Sequence, residues 1–198
     1  NGGQAQISSG RLKRSQWIER WGLDVARRLH AEVAEGFDLF RNLVREIDCD
    51  PQDGGHLYIA HKPSVMPVLE AESRLLNNSF GYRSRIVSRA EVQADFVNDA
   101  EAAGAMYEPD GMGIHAAKLA FGYQTLARRL GARVHPGSPV IGWESSGNVH
   151  RLRTPGGTVR ARTVALATAG YTPPGLNILT RHRLMPVSYT HLTLPTKA

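Results

Sequence analysis

The residues best placed for chemistry are Ala169 and Gly170, which close the apolar run Thr163-Val164-Ala165-Leu166-Ala167-Thr168. This run lacks polar alternation, which predicts a β-strand buried on both faces. Ligands of open α/β sheets bind outside the carboxyl ends of such strands, and glycine lets the backbone approach a phosphate or a flat ring without a Cβ clash. Ala169 and Gly170 are therefore candidate cofactor contacts. A glycine that merely ends the strand is equally compatible with the spacing.

The other side chains that could react form no recognisable catalytic set. The eight histidines have no spacing typical of a metal site, and Cys49, the only cysteine, has no partner for a zinc site. No serine stands in the G-x-S-x-G pattern of a nucleophile elbow. Tyr58 and Tyr107 could line a substrate pocket, although aromatic residues on short strands more often pack in a core. We therefore predict no metal and assign no catalytic residue.

A long helix is predicted in the first quarter of the chain. Apolar residues spaced by threes and fours run from position 15 to position 48, with Gly22 and Gly36 as points where the helix could bend or divide. Trp17 and Trp21 are predicted core anchors. Nothing in this helix points to chemistry.

Short strands alternate with helices in the next segment. They are predicted at 56–61, 85–87 and 105–108, and Ser88 with Glu91 predicts a capping box between the last two. These strands are short and mixed in polarity. That pattern favours an α+β substrate domain over a central parallel sheet.

A helix and a meander are predicted to lead into the apolar run. The helix spans 114–130, a short strand follows at 133–135, and turn clusters separate three further strands at 140–144, 149–154 and 158–161. Successive strands joined by such short turns are typical of an antiparallel meander. Val140 would then be an ordinary strand residue, a role that does not exclude a backbone contact to a ligand.

Composition narrows the class of protein. The chain is 41% hydrophobic and 21% charged, as is usual for soluble globular proteins, and no apolar run approaches the roughly 20 residues of a membrane-spanning helix. The net charge of +6 comes from basic residues that look scattered along the sequence, which favours an exposed arginine-rich surface over nucleic-acid binding. A single cysteine and no signal peptide predict a cytoplasmic protein.

The order of these features resembles the FAD-dependent oxidoreductases of the D-amino-acid oxidase family, especially the γ-glutamylputrescine oxidase-like branch. Gly137-Ser138-Pro139-Val140 is similar to the family's G-x-x-V segment, and Ala167-Thr168-Ala169-Gly170-Tyr171 is similar to its A-T-A-G-Y. Asn1-Gly2-Gly3-Gln4 looks like the branch's R-N-G-G-Q, which follows the first βαβ unit and lines the flavin. The resemblance covers residues 1 to about 187, and the order of the motifs is more specific than any one of them.

The resemblance implies a FAD cofactor and a set of contacts to it. Asn1, Gly2, Gly3 and Gln4 would lie beside the flavin or its pyrophosphate, Val140 would hold the adenine end through its backbone, and Ala169 and Gly170 would approach the pyrophosphate. The family's G-x-G-x-x-G motif, which places the pyrophosphate at a helix N-terminus, does not occur in this sequence and is expected before Asn1.

The resemblance also implies a fold and a domain organisation. The fold class is mixed α/β: an incomplete FAD-binding, Rossmann-like domain of glutathione-reductase type with a β-meander, plus part of an α+β substrate domain. Residues 1–49 would form a FAD-domain loop and the long helix, 50–112 part of the substrate domain, and 113–187 the FAD-domain helix, meander and buried strand. Residues 188–198, S-Y-T-H-L-T-L-P-T-K-A, do not fit the family and are expected to be a non-native tail.

The implied function is oxidation of a C–N bond of an amine or amino acid, with γ-glutamylputrescine-like substrates, by hydride transfer to flavin. A hydride acceptor needs no protein nucleophile, which agrees with the lack of a visible catalytic set. The implied partner is a small molecule, with no nucleic acid and no membrane. A non-catalytic α+β binding or structural domain is the alternative, because fold alone does not fix function.

Overall fold

The computed structural model describes residues 2–7, 12–173 and 176, and the chain forms two compact units that divide between Thr125 and Leu126. The first unit contains four α-helices and six strands among its described residues. Its helices are α1 (Arg14–Trp21), α2 (Leu23–Glu46), α3 (Met66–Phe80) and α4 (Arg89–Glu91). Its strands are β1 (Gln4–Gln6), β2 (Gln52–Asp53), β3 (His56–Ala60), β4 (Arg85–Ser88), β5 (Gly104–Glu108) and β6 (Gly111–Gly113). Helix α5 (Ala116–Arg129) runs across the division, and strands β7 (Gly142–Ser146), β8 (Val149–Thr154) and β9 (Gly157–Ala161) follow it.

The predicted long helix is confirmed as two helices. The chain turns at Gly22, whose φ of 78° is a conformation that glycine adopts without strain, whereas Gly36 lies inside α2 and does not interrupt it. Trp17 is buried, as predicted, but Trp21 is 46% exposed and its prediction as a core anchor is wrong. Trp21 is the last residue of α1, where Gly22 redirects the chain.

The first unit contains two three-stranded antiparallel sheets. One has the order β1-β6-β2 and the other β3-β5-β4, so the short strands predicted between positions 56 and 108 are confirmed. Val87 and Ala105 of the second sheet form a buried cluster with Val92 and Ala102. The Ser88 hydroxyl accepts a hydrogen bond from the Glu91 amide at 3.2 Å, which is the predicted helix cap.

The meander of the second unit is confirmed. Strands β7, β8 and β9 pair in order, and both connections are two-residue turns, at 147–148 and 155–156. Because side chains alternate across a strand, Trp143 and Leu152 face one side of this sheet, and Arg151, Arg153 and Arg160 face the other. The architecture is therefore mixed α/β with small antiparallel sheets, the fold class predicted from the sequence.

Two strand predictions in the second unit are wrong. Residues 133–135 are not a strand, and the run 163–168 has no regular secondary structure and is largely exposed. An apolar run becomes a buried strand only where neighbouring strands take up its N–H and C=O groups, and no strand pairs with 163–168 among the described residues. The predicted tail, 188–198, lies outside the described residues.

The net positive charge is distributed along the chain less evenly than the scattered basic residues indicated. Residues 126–173 contain seven arginines, no lysine and a single acidic residue, Glu144. Among the described residues, no helix has both the length and the apolar character that crossing a membrane requires.

Candidate cofactor site

A cavity of about 360 Å³ lies within the second unit, against the apolar face of the meander. That volume falls within the range of small-molecule pockets, roughly 300–1,000 Å³. Its walls come from the loop before β7, the first two meander strands and the segment after β9. The lining residues are Ser138, Pro139, Val140, Trp143, Leu152, Val164, Ala165, Leu166, Thr168, Tyr171, Pro173 and Leu176.

Val140, one of the predicted contacts, lines this cavity. It is half-buried and precedes β7, where the next amide, that of Ile141, donates a hydrogen bond to the Arg153 carbonyl at 2.8 Å. This bond extends the pairing of β7 with β8 and fixes the backbone beside Val140. The position of Val140 is therefore set by the meander.

Ala169 and Gly170 form a tight turn whose flanking residues also line the cavity. The Tyr171 amide donates to the Thr168 carbonyl at 2.9 Å, and the Thr172 hydroxyl donates to the Ala169 carbonyl at 2.8 Å. Ala169 has a φ of 44°, an uncommon conformation for a residue with a Cβ. Because Thr168 and Tyr171 face the cavity on either side of the turn, the structure brings the Ala169–Gly170 turn and Val140 to one site.

The lining of the cavity suits a flat, largely apolar ring. Aliphatic and aromatic side chains dominate, with hydroxyls at Ser138, Thr168 and Tyr171 and no charged residue. The adenine ring of FAD fits this chemistry, because apolar walls cover its faces while backbone groups can meet its edge. Phosphates would have to be held by backbone N–H groups, since neither lysine nor arginine lines the cavity.

The four predicted cofactor contacts at the amino terminus lie in different environments. Asn1 is outside the described residues, and Gly2 is half-buried without regular structure. Gly3 has a φ of 78°, and a Cβ added there would lie 2.6 Å from the Ile114 carbonyl oxygen. Gln4 begins β1 and lines an open groove with Phe37 and Phe40 of α2. Gly3 and Gln4 belong to the first unit, so a cofactor contact shared with Ala169 stays a prediction.

A buried polar cluster in the first unit was not predicted from the sequence. Arg14, His30 and Glu108 are 5%, 8% and 1% exposed. Arg14 Nε, His30 Nδ1 and Glu108 Oε2 have no hydrogen-bond partner among the described residues. Arginine is rarely buried, so its residue type gave no signal of burial. The only available signal was the spacing of Arg14 and Trp17, which places both on one face of α1.

The charges in this cluster influence one another. Burial raises the pKa of Glu108, and the Arg14 guanidinium opposes that rise. Burial lowers the pKa of His30, and Arg14 lowers it further. Burial also raises the pKa of Tyr58; the charge of Glu108 adds to this rise and the charge of Arg14 opposes it. Burial is therefore the main cause of each of these pKa shifts, and the charge of Arg14 modifies them.

Two other side chains that could take part in chemistry, those of Tyr107 and His115, have partners within the fold. The Tyr107 ring contacts the Phe96 ring in a tilted arrangement, with 5.8 Å between the ring centres, and the Arg85 guanidinium lies 5.1 Å from the Tyr107 ring. His115 Nδ1 accepts a hydrogen bond from the Lys118 amide at the start of α5. Across the described part of the chain, His, Cys, Asp and Glu residues form no group able to hold a metal ion.

Comparison with known proteins identifies relatives. A family model described as FAD dependent oxidoreductase matches residues 2–198. No curated protein matches the chain significantly. Glycine oxidase from Geobacillus kaustophilus superposes with a TM-score of 0.63 at 24% identity, covering 85% of this chain and 44% of that one. L-proline dehydrogenase from P. horikoshii gives 0.61 at 17% identity, covering 70% of this chain and 37% of that one.

A third solved structure has the same fold. NikD, an amino acid oxidase essential for nikkomycin biosynthesis, gives a TM-score of 0.54 at 20% identity, covering 75% of this chain and 39% of that one. At these identities the likeness shows the fold alone. The chain spans less than half the length of each of these three enzymes.

Proposed function

Because this chain belongs to the FAD-dependent oxidoreductase family, we propose that it is part of a longer flavoenzyme that oxidises a C–N bond of an amine or amino acid. The names of the structural neighbours support this reaction class: one is a glycine oxidase, one a proline dehydrogenase and one an amino acid oxidase. We call the intact enzyme that contains this chain the parent enzyme.

The observation that carries the proposal is the cavity lined by Val140 and by Thr168 and Tyr171, which flank the Ala169–Gly170 turn. Val140 and this turn are 29 positions or more apart in sequence, and both come from segments that resemble cofactor-binding motifs of the family. Apolar walls without charge favour the adenine end of FAD over a phosphate group.

The chain's own residues would bind and orient the cofactor. Val140 would contact the adenine ring through its backbone, and the Ala169–Gly170 turn would offer backbone groups to the pyrophosphate, since a glycine at 170 lets a ligand approach closely. Gly3 and Gln4 would lie beside the flavin or its pyrophosphate. Bound FAD would supply the hydride acceptor for the C–N oxidation.

The substrate is proposed at two levels of detail. An amine or amino acid follows from the reaction class of the relatives. A γ-glutamylputrescine-like amine is the finer proposal, and it rests on the likeness of Asn1-Gly2-Gly3-Gln4 to one branch of the family.

The test uses the purified parent enzyme and follows its visible absorbance. We expect a flavin spectrum that bleaches when γ-glutamylputrescine is added without oxygen, with glycine and proline as comparison substrates. Bleaching by an amino acid alone would remove the finer substrate proposal. A colourless parent that binds no FAD would favour the alternative, a non-catalytic α+β domain.

This chain by itself is expected to bind FAD weakly. The G-x-G-x-x-G motif that supplies most of the dinucleotide recognition does not occur in its sequence. Tight, stoichiometric FAD in a purified sample of these 198 residues would contradict that expectation.

A further inference from the structure

Strand β1 is held against β6 at both of its ends. At the start, the Gly3 carbonyl accepts a hydrogen bond from the Ile114 amide at 2.8 Å. At the far end, the Ile7 amide donates to the Asp110 carbonyl at 3.4 Å, and the Ile7 side chain is 2% exposed. Between these points, Gln4, Ala5 and Gln6 pair with Gly113, Met112 and Gly111. A three-residue strand has few bonds of its own, so the contacts at its ends set its position.

Arg14 supplies the strongest contact at the far end. Its Nη2 donates to the Ile7 carbonyl at 2.7 Å, a short bond of the charge-assisted kind. The guanidinium is buried, and its Nε finds no acceptor among the described residues. Burying a cation is costly unless it is paired or hydrogen-bonded, and the bond to the Ile7 carbonyl offsets part of that cost. An arginine used only for surface charge would lie in solvent.

Asp110, which faces Ile7, is fixed in turn by two other residues. Its amide donates to the Tyr82 hydroxyl at 3.2 Å, and its carboxylate pairs with the Arg41 guanidinium at 2.9 Å. The far end of β1 is therefore enclosed between a fixed arginine and a fixed aspartate. Both belong to the first unit, as do Gly3 and Gln4.

We propose that Arg14 is a positioning residue for cofactor binding: by holding the Ile7 carbonyl, it fixes β1 and with it the backbone of Gly3 and Gln4 that faces the flavin. This role rests on the proposed function, because the cofactor contacts of Gly3 and Gln4 belong to it. Arg14 itself touches neither cofactor nor substrate in this arrangement. The inference concerns the order of the strand, which can be measured without cofactor.

The first arm of the test measures amide hydrogen exchange in this chain. Arg14→Met removes the donors, Arg14→Lys keeps a charge that can reach the Ile7 carbonyl, and Arg20→Met is the control at an exposed position of the same helix. In Arg14→Met, the Ile7 and Ile114 amides should exchange at least about tenfold faster, while the sheet β3-β5-β4 keeps its rates. Arg14→Lys should recover part of the protection, and Arg20→Met should match the wild type.

Two exchange results would overturn the role. One is unchanged exchange at Ile7 and Ile114 in Arg14→Met. The other is an equal acceleration of all amides, including those of the β3-β5-β4 sheet, with no recovery in Arg14→Lys. The second result would show that Arg14 supports the whole unit and not this strand.

The second arm measures the dissociation constant of FAD in the parent enzyme. Arg14→Met should weaken FAD about tenfold, Arg14→Lys less, and Arg20→Met not at all. If Arg14→Met and the wild type bind FAD equally well, the positioning role is wrong and the proposed function stands. A wild-type parent that binds no FAD would overturn both.

Discussion

At the scale of single residues, Glu108 makes the clearest prediction about pH. Its carboxyl is 1% exposed, and burial raises its pKa in the folded state despite the opposing charge of Arg14. The unfolded chain therefore ionises Glu108 at lower pH than the folded chain does. Stability from this group is fully present below the unfolded pKa, near 4.3, and falls as pH rises through the higher folded value.

Glu108→Gln should remove this loss of stability. Relative to the wild type, the free energy of unfolding of Glu108→Gln should increase between pH 4 and pH 8, because glutamine has no carboxyl whose ionisation the folded state disfavours. Urea unfolding across that pH range measures it, with the exposed Glu101→Gln as control. A constant difference between Glu108→Gln and the wild type at every pH would show that burial does not perturb this carboxyl.

Gly3 and Gly36 form a matched pair of glycines for a second test. A Cβ at Gly3 would meet the Ile114 carbonyl oxygen at 2.6 Å and would also sit on a backbone with positive φ. A Cβ at Gly36 meets nothing within 4 Å inside helix α2. We expect Gly3→Ala to destabilise the chain by more than about 1 kcal/mol, and Gly36→Ala to stabilise it by about 0.5–1 kcal/mol.

Thermal unfolding of both glycine variants decides this prediction. Equal effects at the two positions would mean that β1 does not approach Ile114 closely. That result would also weaken the role proposed for Arg14, because it depends on the same strand.

At the scale of elements, the meander places two like charges opposite each other. Arg151 of β8 is in register with Arg160 of β9, and both are exposed. Like charges directly opposite on a sheet destabilise it by about 0.2–1 kcal/mol. Salt should screen this repulsion, because the screening length falls from about 30 Å at 0.01 M to about 3 Å at 1 M.

Arg160→Thr should therefore raise the melting temperature at low salt and leave it unchanged at high salt. Arg133→Thr, at an exposed loop position of the same unit, is the control for the general loss of one positive charge. An equal gain in both variants would attribute the effect to net charge and not to the pairing of Arg151 with Arg160.

The elements show where sequence reasoning succeeds and where it stops. Helices α2, α3 and α5 and the strands of the meander carry periodicity and turn residues that are local signals. Strands β1, β2 and β6 were not predicted, because two or three residues rich in glycine and polar side chains give no alternation to detect. The run 163–168 was predicted as a strand from its apolar character alone, and that character does not specify a hydrogen-bonding neighbour.

At the scale of the whole molecule, the family was predictable from the sequence and the geometry of the site was not. The glycine-rich start, the helix, the meander and the A-T-A-G-Y segment follow one another in an order that is itself a sequence signal. The cavity is built from positions 138–140, 143, 152, 164–166, 168, 171, 173 and 176, whose proximity depends on the meander and the turn at Ala169. The buried Arg14 could not be foreseen, because its burial depends on tertiary contacts with Ile7.

The distribution of charge over the whole molecule also differs from the expectation. The net positive charge is concentrated in residues 126–173, which contain seven arginines and a single acidic residue. Arg151, Arg153 and Arg160 share the face of the meander opposite the cavity. Absence of nucleic-acid binding remains a prediction from the sequence.

The central claim is tested most directly by measuring the affinity for FAD of a parent enzyme in which a larger side chain fills the cavity. Ala165 lines the cavity, and Ala165→Trp would occupy it, whereas Thr158→Trp adds the same side chain on the opposite, exposed face of the meander. We expect the wild type and Thr158→Trp to bind one FAD with equal affinity and Ala165→Trp to bind it at least about tenfold more weakly. Ala165→Trp binding FAD as tightly as the wild type would contradict the assignment of this cavity to the cofactor.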